Sequence, residues 1–401
     1  MKVLLTVNYS PWSRYSGGGQ RSTHNLALAL AKRGHDVTVI FTKAPWESVA
    51  LPPSLPYSVL WAALPGVRRG SPIFVARAAR RWLASAPAGS IVHANGEESA
   101  LIPRLRARLP RGRFAFVMTP RYPALPAALM RDVAQQSRAR LALVALLQTK
   151  YAQLGAALRG ASWVCPTSRS AAEMVQRAYG LSSDTLTVIP NGISDEFIRA
   201  GDPGARVTTL SASLKGLTGD GGFGVYFGRI AREKGVHLLI EALARAGAEP
   251  RRWVLVGRGP EVPALQMRVQ QLGLGERVSF VPWLDAPELA ALVRGASLAA
   301  LPSLEESFGN SMAEAMALAV PVLSTTAGSI PELIAHGKNG WLVPPGDADA
   351  LAEAIRRLAG DPELRRALGE AGRAHVIEHL TWDASAAAFE RVYERALQRE
   401  R

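Results

Sequence analysis

LAALPSLEESFGNSMAEAMALAVPVLSTTAGSIPE, residues 298 to 332, sets Glu306 and Glu314 eight positions apart around a turn suited to an anion. A short apolar run ends at Leu301-Pro302. Glu305 and Glu306 lie in the following loop, and Gly309, Asn310 and Ser311 open a helix that continues through Ala315, Met316 and Leu318. Ser311 and Glu314 have capping-box spacing, which puts Glu314 in the first turn. The next strand is expected at Pro321 to Thr325. Strand, loop, helix and strand in this order place the loop at the carboxyl end of a parallel strand, where open α/β sheets take ligands.

Such a loop offers an anion the unpaired N–H groups of a helix start. A carboxylate on each side repels phosphate but accepts hydrogen bonds from hydroxyls, so the pattern suits a ligand with both a diphosphate and sugar rings. The same residues also fit a solvated loop glutamate and an ordinary helix cap.

Composition bounds the rest. The chain has 401 residues, 48% hydrophobic and 20% charged, enough for two domains with substantial cores. A single cysteine, Cys165, rules out an intramolecular disulfide and fits a reducing compartment. No apolar run approaches the ~20 residues that span a bilayer. The opening MKVLLTVNYSPW reads as a first strand rather than a secretion signal. A cytoplasmic protein is expected. Residues 1 to 190 carry 24 Lys+Arg against 7 Asp+Glu, and residues 191 to 401 carry 23 against 26. The basic half should therefore meet an anionic surface or acceptor, unless its charge is only solvated. Nucleic acid is disfavoured because no base-stacking aromatic motif accompanies the arginines.

Strands are expected at Lys2 to Asn8, Val37 to Phe41, Ile91 to Ala94, Phe114 to Thr119, Trp163 to Thr167 and Leu186 to Pro190. Ser16-Gly17-Gly18-Gly19 should let a ligand approach the start of a helix running from about Gln20 to Arg33. Residues 66 to 83, GVRRGSPIFVARAARRWL, combine five arginines with Ile73, Phe74, Val75, Trp82 and Leu83. That segment is the candidate for membrane-surface contact, against a core-packing helix with a solvated arginine face. Arg104 to Arg113 and a long helical stretch from about Leu125 to Arg159 add further basic clusters. Residues 194 to 224 lose periodicity and read as a linker.

A second strand-and-helix series begins at Gly224 to Phe227. Gly228-Arg229 and Lys234-Gly235 follow on the loop before the helix from Val236, so a guanidinium and an ammonium can face one diphosphate without a metal. Strands Trp253 to Val256 and Val278 to Val281 come next. Two decoys carry metal-like spelling. His375-Val-Ile-Glu378-His379 lacks a third ligand, and Asp347 of Asp347-Ala-Asp349 is read as a helix cap.

Glu306-Ser-Phe308-Gly309, Glu314-Ala315, Pro321-Val322 and Gly328-Ser-Ile-Pro331-Glu332 together resemble the E-x7-E signature of retaining GT-B glycosyltransferases of family 4. The Gly-Arg-x4-Lys-Gly stretch and Pro190-Asn191-Gly192 match the same family. The resemblance implies an α/β GT-B fold, with two doubly wound Rossmann-like domains facing a cleft. The acceptor-side domain would span 1 to 192 with a returning helix at 383 to 401, and the donor domain 193 to 382. It implies transfer of a sugar from a nucleoside-diphosphate sugar as co-substrate, with no other cofactor and no metal. Arg229 and Lys234 would bind the diphosphate, Glu306 the donor sugar and Glu314 the ribose. Trp283 and Leu284 would hold the base; Gly17, Gly18, Gly228, Phe308, Gly309, Asn310 and Ser311 would complete the donor site.

Members of the family commonly carry a histidine after the fourth strand, where this chain has Thr119-Pro120-Arg121-Tyr122. His93 and Arg121 are the candidates nearest that role. Ala319 and Ser329 stand where the family usually has glycine, a small-for-small exchange expected to leave the backbone path intact. A lipid-linked or phosphorylated saccharide acceptor at the inner membrane face is expected. A sugar-nucleotide epimerase or hydrolase and a non-catalytic nucleotide-sugar-binding protein are the alternatives.

Overall fold

The computed structural model describes residues 1–13, 16–64, 71–121, 138–206, 209–218, 222–247 and 250–401, with residues 138–148 described through their backbone alone. Arg68, Arg69, Tyr122 and the first part of the stretch from Leu125 lie outside these. The chain forms two compact units, Met1–Gly192 with Trp382–Arg401, and Ile193–Thr381.

The first unit is a six-stranded parallel sheet in the order β3-β2-β1-β4-β5-β6. Its strands are β1 (Lys2–Val7), β2 (Asp36–Lys43), β3 (Ser58–Ala63), β4 (Ser90–Ala94), β5 (Phe114–Met118) and β6 (Trp163–Val164). Side chains alternate between faces, as period-2 geometry requires. Val3, Leu5 and Val7 join one buried cluster, with Val37, Val39 and Phe41. Leu4, Ile40 and Val92 join the other.

The helix Trp382–Glu400 covers the first of these faces through Trp382, Phe389 and Tyr393. Its outer side is tied to the end of the helix Gly18–Lys32. Glu390 accepts from Arg33 at 2.8 Å and contacts His35 at 2.7 Å, while Asp383 takes Arg33 at 2.9 Å. The Arg33 hydrogen bond, aided by His35 and opposed by partial burial, holds the Glu390 carboxyl down to about 2. An unfolded glutamate titrates near about 4.3, so this contribution is complete above that pH and is lost as pH falls toward 2. Glu390→Gln should therefore lower Tm at pH 7 by about 2–4 °C. The deficit should shrink steadily as melts are repeated from about pH 4 down toward pH 2.

The second unit repeats the plan with β7 (Phe223–Phe227), β8 (Arg252–Val256), β9 (Val278–Val281), β10 (Leu298–Ala300), β11 (Val322–Thr325) and β12 (Trp341–Val343). Their order is β12-β11-β10-β7-β8-β9, again all parallel. In each sheet the strand order reverses beside the first strand, between β1 and β4 and between β7 and β10. The carboxyl ends of the strands at such a reversal are where open α/β sheets take ligands.

Several expectations are corrected. Leu186 to Pro190 is no strand; it touches β6 through a single bridge at Leu186 and two flanking backbone bonds. The presumed linker holds the helices Asp195–Ala200 and Ala212–Thr218, and Phe197 is buried in the core of the second unit. Arg106 pairs with Glu400 at 2.8 Å and Arg113 donates to the Leu83 carbonyl, so part of that basic cluster is structural. Among the described residues no helix is long and apolar enough to cross a membrane.

Candidate functional site

The loops after β7 and β10 flank the switch point of the second sheet, and this brings together residues 72 positions apart. Lys234 Nζ donates to Glu306 Oε2 at 2.6 Å, and both side chains are largely shielded, 23% and 14% exposed. Glycines make the approach possible. Gly235 has φ +67°, and a Cβ there would collide with the Pro302 carbonyl oxygen. Gly228 has φ +146°, and its open side faces the Tyr226 hydroxyl and Ser311 Oγ, so a Cβ there would lie 3.4 and 3.5 Å from them. The buried Tyr226 hydroxyl donates to the Arg229 carbonyl at 2.8 Å, and burial raises its pKa, keeping it a neutral donor.

Glu306 is fixed through its main chain. Its carbonyl accepts from Ser329 N at 3.1 Å and Ser329 Oγ at 3.2 Å, and Gly328, at φ +55°, leaves room for it. Ser329 thus adds a hydroxyl bond that glycine would not make. Ala319 is less neutral: it sits at φ +58°, a left-handed conformation that costs an alanine about 1 kcal/mol.

The helix after this loop runs Asn310–Ala317 with Gly309 as its cap at φ +96°, and no side chain bonds the cap position. The Ser311 and Glu314 capping box is therefore absent. Gly309 starts the helix two residues early and moves Glu314 into the second turn. Asn310, Ser311 and Glu314 stay half-exposed on one side, while Met312, Ala313, Ala315 and Met316 are buried, as is Phe308 before them. Trp283 and Leu284 follow β9 and pack half-buried on the core. β9 lies two strands from β7, about 10 Å.

Arg229 does not share the position of Lys234. Its guanidinium turns to Glu233, a residue the sequence reading passed over. The signal was present, since Arg229 and Glu233 stand four positions apart. The Glu233 carbonyl also accepts Leu304 N at 2.8 Å, tying the two loops together. Burial first, then the Glu233 charge, raises the pKa of Glu305.

In the first unit, Gly17 caps the helix Gly18–Lys32, with Gly17 N donating to Gln20 Oε1 at 3.0 Å. Arg121 rests against this helix start, its Cγ 3.6 Å from where a Gly19 Cβ would stand. It donates to Asn95 Oδ1 at 3.0 Å and to Asn191 Oδ1, so Pro-Asn-Gly serves to hold this arginine.

His93 is corrected as a candidate. It is fully buried against Phe389, with ring nitrogens 2.8 Å from the Tyr393 hydroxyl and 2.8 Å from Thr119 Oγ1. Burial, with Arg121 nearby, pushes its pKa down to about 3, and the ring is a neutral structural link. Glu98, also overlooked, is buried at the same end of the sheet, where it accepts from Thr6 Oγ1 at 3.2 Å and Asn95 N at 3.4 Å. Burial, then Glu97, pushes it up to about 8. Nothing in Glu97-Glu98 tells which acid turns inward.

The two decoys resolve locally. Asp347 caps its helix by accepting from Asp349 N and Ala350 N. His375 and His379 meet edge to face with ring centroids 4.9 Å apart, and among the described residues no three metal-ligating side chains converge.

Two family models divide the chain. "Glycosyltransferase Family 4" matches residues 16–197 and "Glycosyl transferases group 1" matches 215–375, which includes the loops after β7, β9 and β10. By sequence, residues 16–197 belong with the family 4 glycosyltransferases and residues 215–375 with the group 1 glycosyl transferases. The chain is 37% identical over 189 residues to the D-inositol 3-phosphate glycosyltransferase of Jonesia denitrificans, covering 45% of this chain and 44% of that one. The chain spans about half the length of the curated relatives it matches. Solved structures show the GT-B fold. Sucrose-phosphate synthase from Thermosynechococcus elongatus superposes with a TM-score of 0.77 at 24% identity over 99% of each chain. Anabaena HepE in complex with UDP-glucose gives 0.72 at 20% identity, over 98% of this chain and 100% of that one. The family 4 motifs thus fall on the switch-point loops of the second sheet.

Proposed function

We propose that this protein transfers a sugar from a nucleoside-diphosphate sugar to an acceptor, with retention at the anomeric carbon. The observation that carries the reading is the Lys234–Glu306 pair at 2.6 Å on the loops that flank the switch point, close to Gly228 and the helix from Asn310. A diphosphate bound over these loops meets the Lys234 ammonium and the helix start after Gly309, with Arg229 in reach from the loop edge. As the glycosidic bond to the diphosphate breaks, negative charge grows on the leaving oxygen, and fixed cations there lower the barrier. Glu306 accepts hydrogen bonds from the sugar hydroxyls, Glu314 from the ribose, and Trp283 and Leu284 flank the base. No metal is assigned a part, because Arg229 and Lys234 supply the countercharge.

A phosphorylated or lipid-linked saccharide is the proposed acceptor. Support comes from the basic first unit and from the D-inositol 3-phosphate named for a relative. The helix Ser71–Ser85 buries Val75, Trp82 and Leu83 but turns Arg77, Arg80, Arg81 and a 48%-exposed Ile73 outward. We assign that face to contact with an anionic membrane surface on the cytoplasmic side.

Incubation with UDP-, GDP- and ADP-sugars and phosphorylated acceptors, read by mass and by anomeric NMR, should give a glycosylated product with the donor's configuration. Free sugar alone would indicate a hydrolase, and binding without turnover a binding protein. Flotation with anionic vesicles should recover the protein at low salt and not at high salt.

A further inference from the structure

The loop pair after β7 and β10 carries three carboxylates, Glu233, Glu305 and Glu306, against three cations, Arg229, Arg232 and Lys234. Arg232 is exposed, but the other two cations are already paired, Arg229 with Glu233 and Lys234 with Glu306. A diphosphate can use both of these only if a carboxylate yields. Glu306 is poorly placed to do so, being 14% exposed, clamped at its carbonyl by Ser329 and held at Oε1 by Ser307 N at 3.2 Å. The Arg229–Glu233 pair is the exposed one, at 59% and 32%. The Glu233 main chain is pinned by Leu304 N, but its side chain has rotatable bonds and open solvent beside it.

We propose that Glu233 is a displaceable counter-ion for Arg229, holding the guanidinium while the site lacks a diphosphate and swinging away as the phosphates arrive. This inference rests on the donor-site reading above. Exposed ion pairs are weak, so the exchange is easily driven by a diphosphate's larger charge. The carboxylate that leaves Arg229 still repels the bound phosphates and weakens the hold on the nucleoside diphosphate product. Glu233 is thus a positioning residue that sets product affinity, not a group that touches the reacting atoms.

Glu233→Gln keeps the shape and removes the charge. Calorimetric titration of wild type and variant with UDP, GDP and ADP should show whichever diphosphate the wild type binds held about two- to fivefold tighter by the variant at low salt. The gain should shrink at 0.3 M salt. Removal of a merely structural contact would not tighten binding. Unchanged or weaker binding by Glu233→Gln, alongside measurable wild-type binding, overturns the proposal and leaves the donor reading intact. Wild type that binds none of the three at millimolar concentration overturns the donor reading, and this inference with it.

Discussion

Replacing Lys234 by alanine is expected to lower kcat by about 10²–10³-fold, the usual loss when one preorganised charge is removed from a transition-state site. Two effects act together. The ammonium that neutralises the departing diphosphate disappears, and the Glu306 carboxylate, 2.6 Å away and shielded from water, is left unpaired beside the same phosphates. Donor KM should rise as well. Glu306→Gln keeps the length and one acceptor oxygen, so it should lose turnover with a smaller change in KM. Because the two side chains act as a unit, the double variant should fall little below Lys234→Ala alone. Arg229→Ala should cost less than Lys234→Ala, since its guanidinium is 59% exposed and more of its field is screened. Steady-state rates of nucleoside diphosphate release across the four variants check the order. Full rate in Lys234→Ala would remove the pair from the mechanism.

How far this site could be read without coordinates depends on the range of each interaction. Buried parallel strands such as Lys2–Val7 and Phe223–Phe227 are bounded runs of apolar residues, and local composition exposes them. β3 was missed because Ser58–Ala63 is an edge strand, half-exposed and weakly patterned after a proline-rich stretch. Glu306 and Lys234 were each legible from a turn before a helix, but their contact was not. It depends on β7 and β10 being neighbours, a topological fact that no window of sequence contains. The mistaken cap at Ser311 has a similar origin. Ser311-x-x-Glu314 satisfies the spacing rule, yet Gly309 turns left-handed and begins the helix before the serine can cap it. Likewise Ala319 looks neutral as a side chain, and only its φ of +58° shows a backbone cost.

Gly235→Ala and Gly273→Ala should part widely, although the two glycines share one backbone conformation, φ +67° and φ +68°. Alanine pays about 1 kcal/mol for that left-handed geometry at either place. A Cβ at Gly273 meets nothing within 4 Å, so the loss should stop there, a fall in Tm of about 2–4 °C. At Gly235 the Cβ collides with the Pro302 carbonyl oxygen, which is main chain and cannot rotate aside. The segment it would have to push is held by Leu301 N to Leu323 O at 2.8 Å, Ser324 Oγ to Leu301 O at 2.7 Å and Thr325 Oγ1 to Ser303 O at 2.5 Å. Giving up two of these bonds adds about 2 kcal/mol, for a total near 3 kcal/mol. Displacement also moves Lys234 and Glu306 apart, since they flank the two sides of the collision. Gly235→Ala should therefore lose most of its turnover even at a temperature where melts show it folded, and Gly273→Ala should keep its activity. Parallel melts and rate measurements decide this. Equal, modest losses in both would mean that the contact between the two loops is soft, and that the distance from ammonium to carboxylate is not set by this glycine.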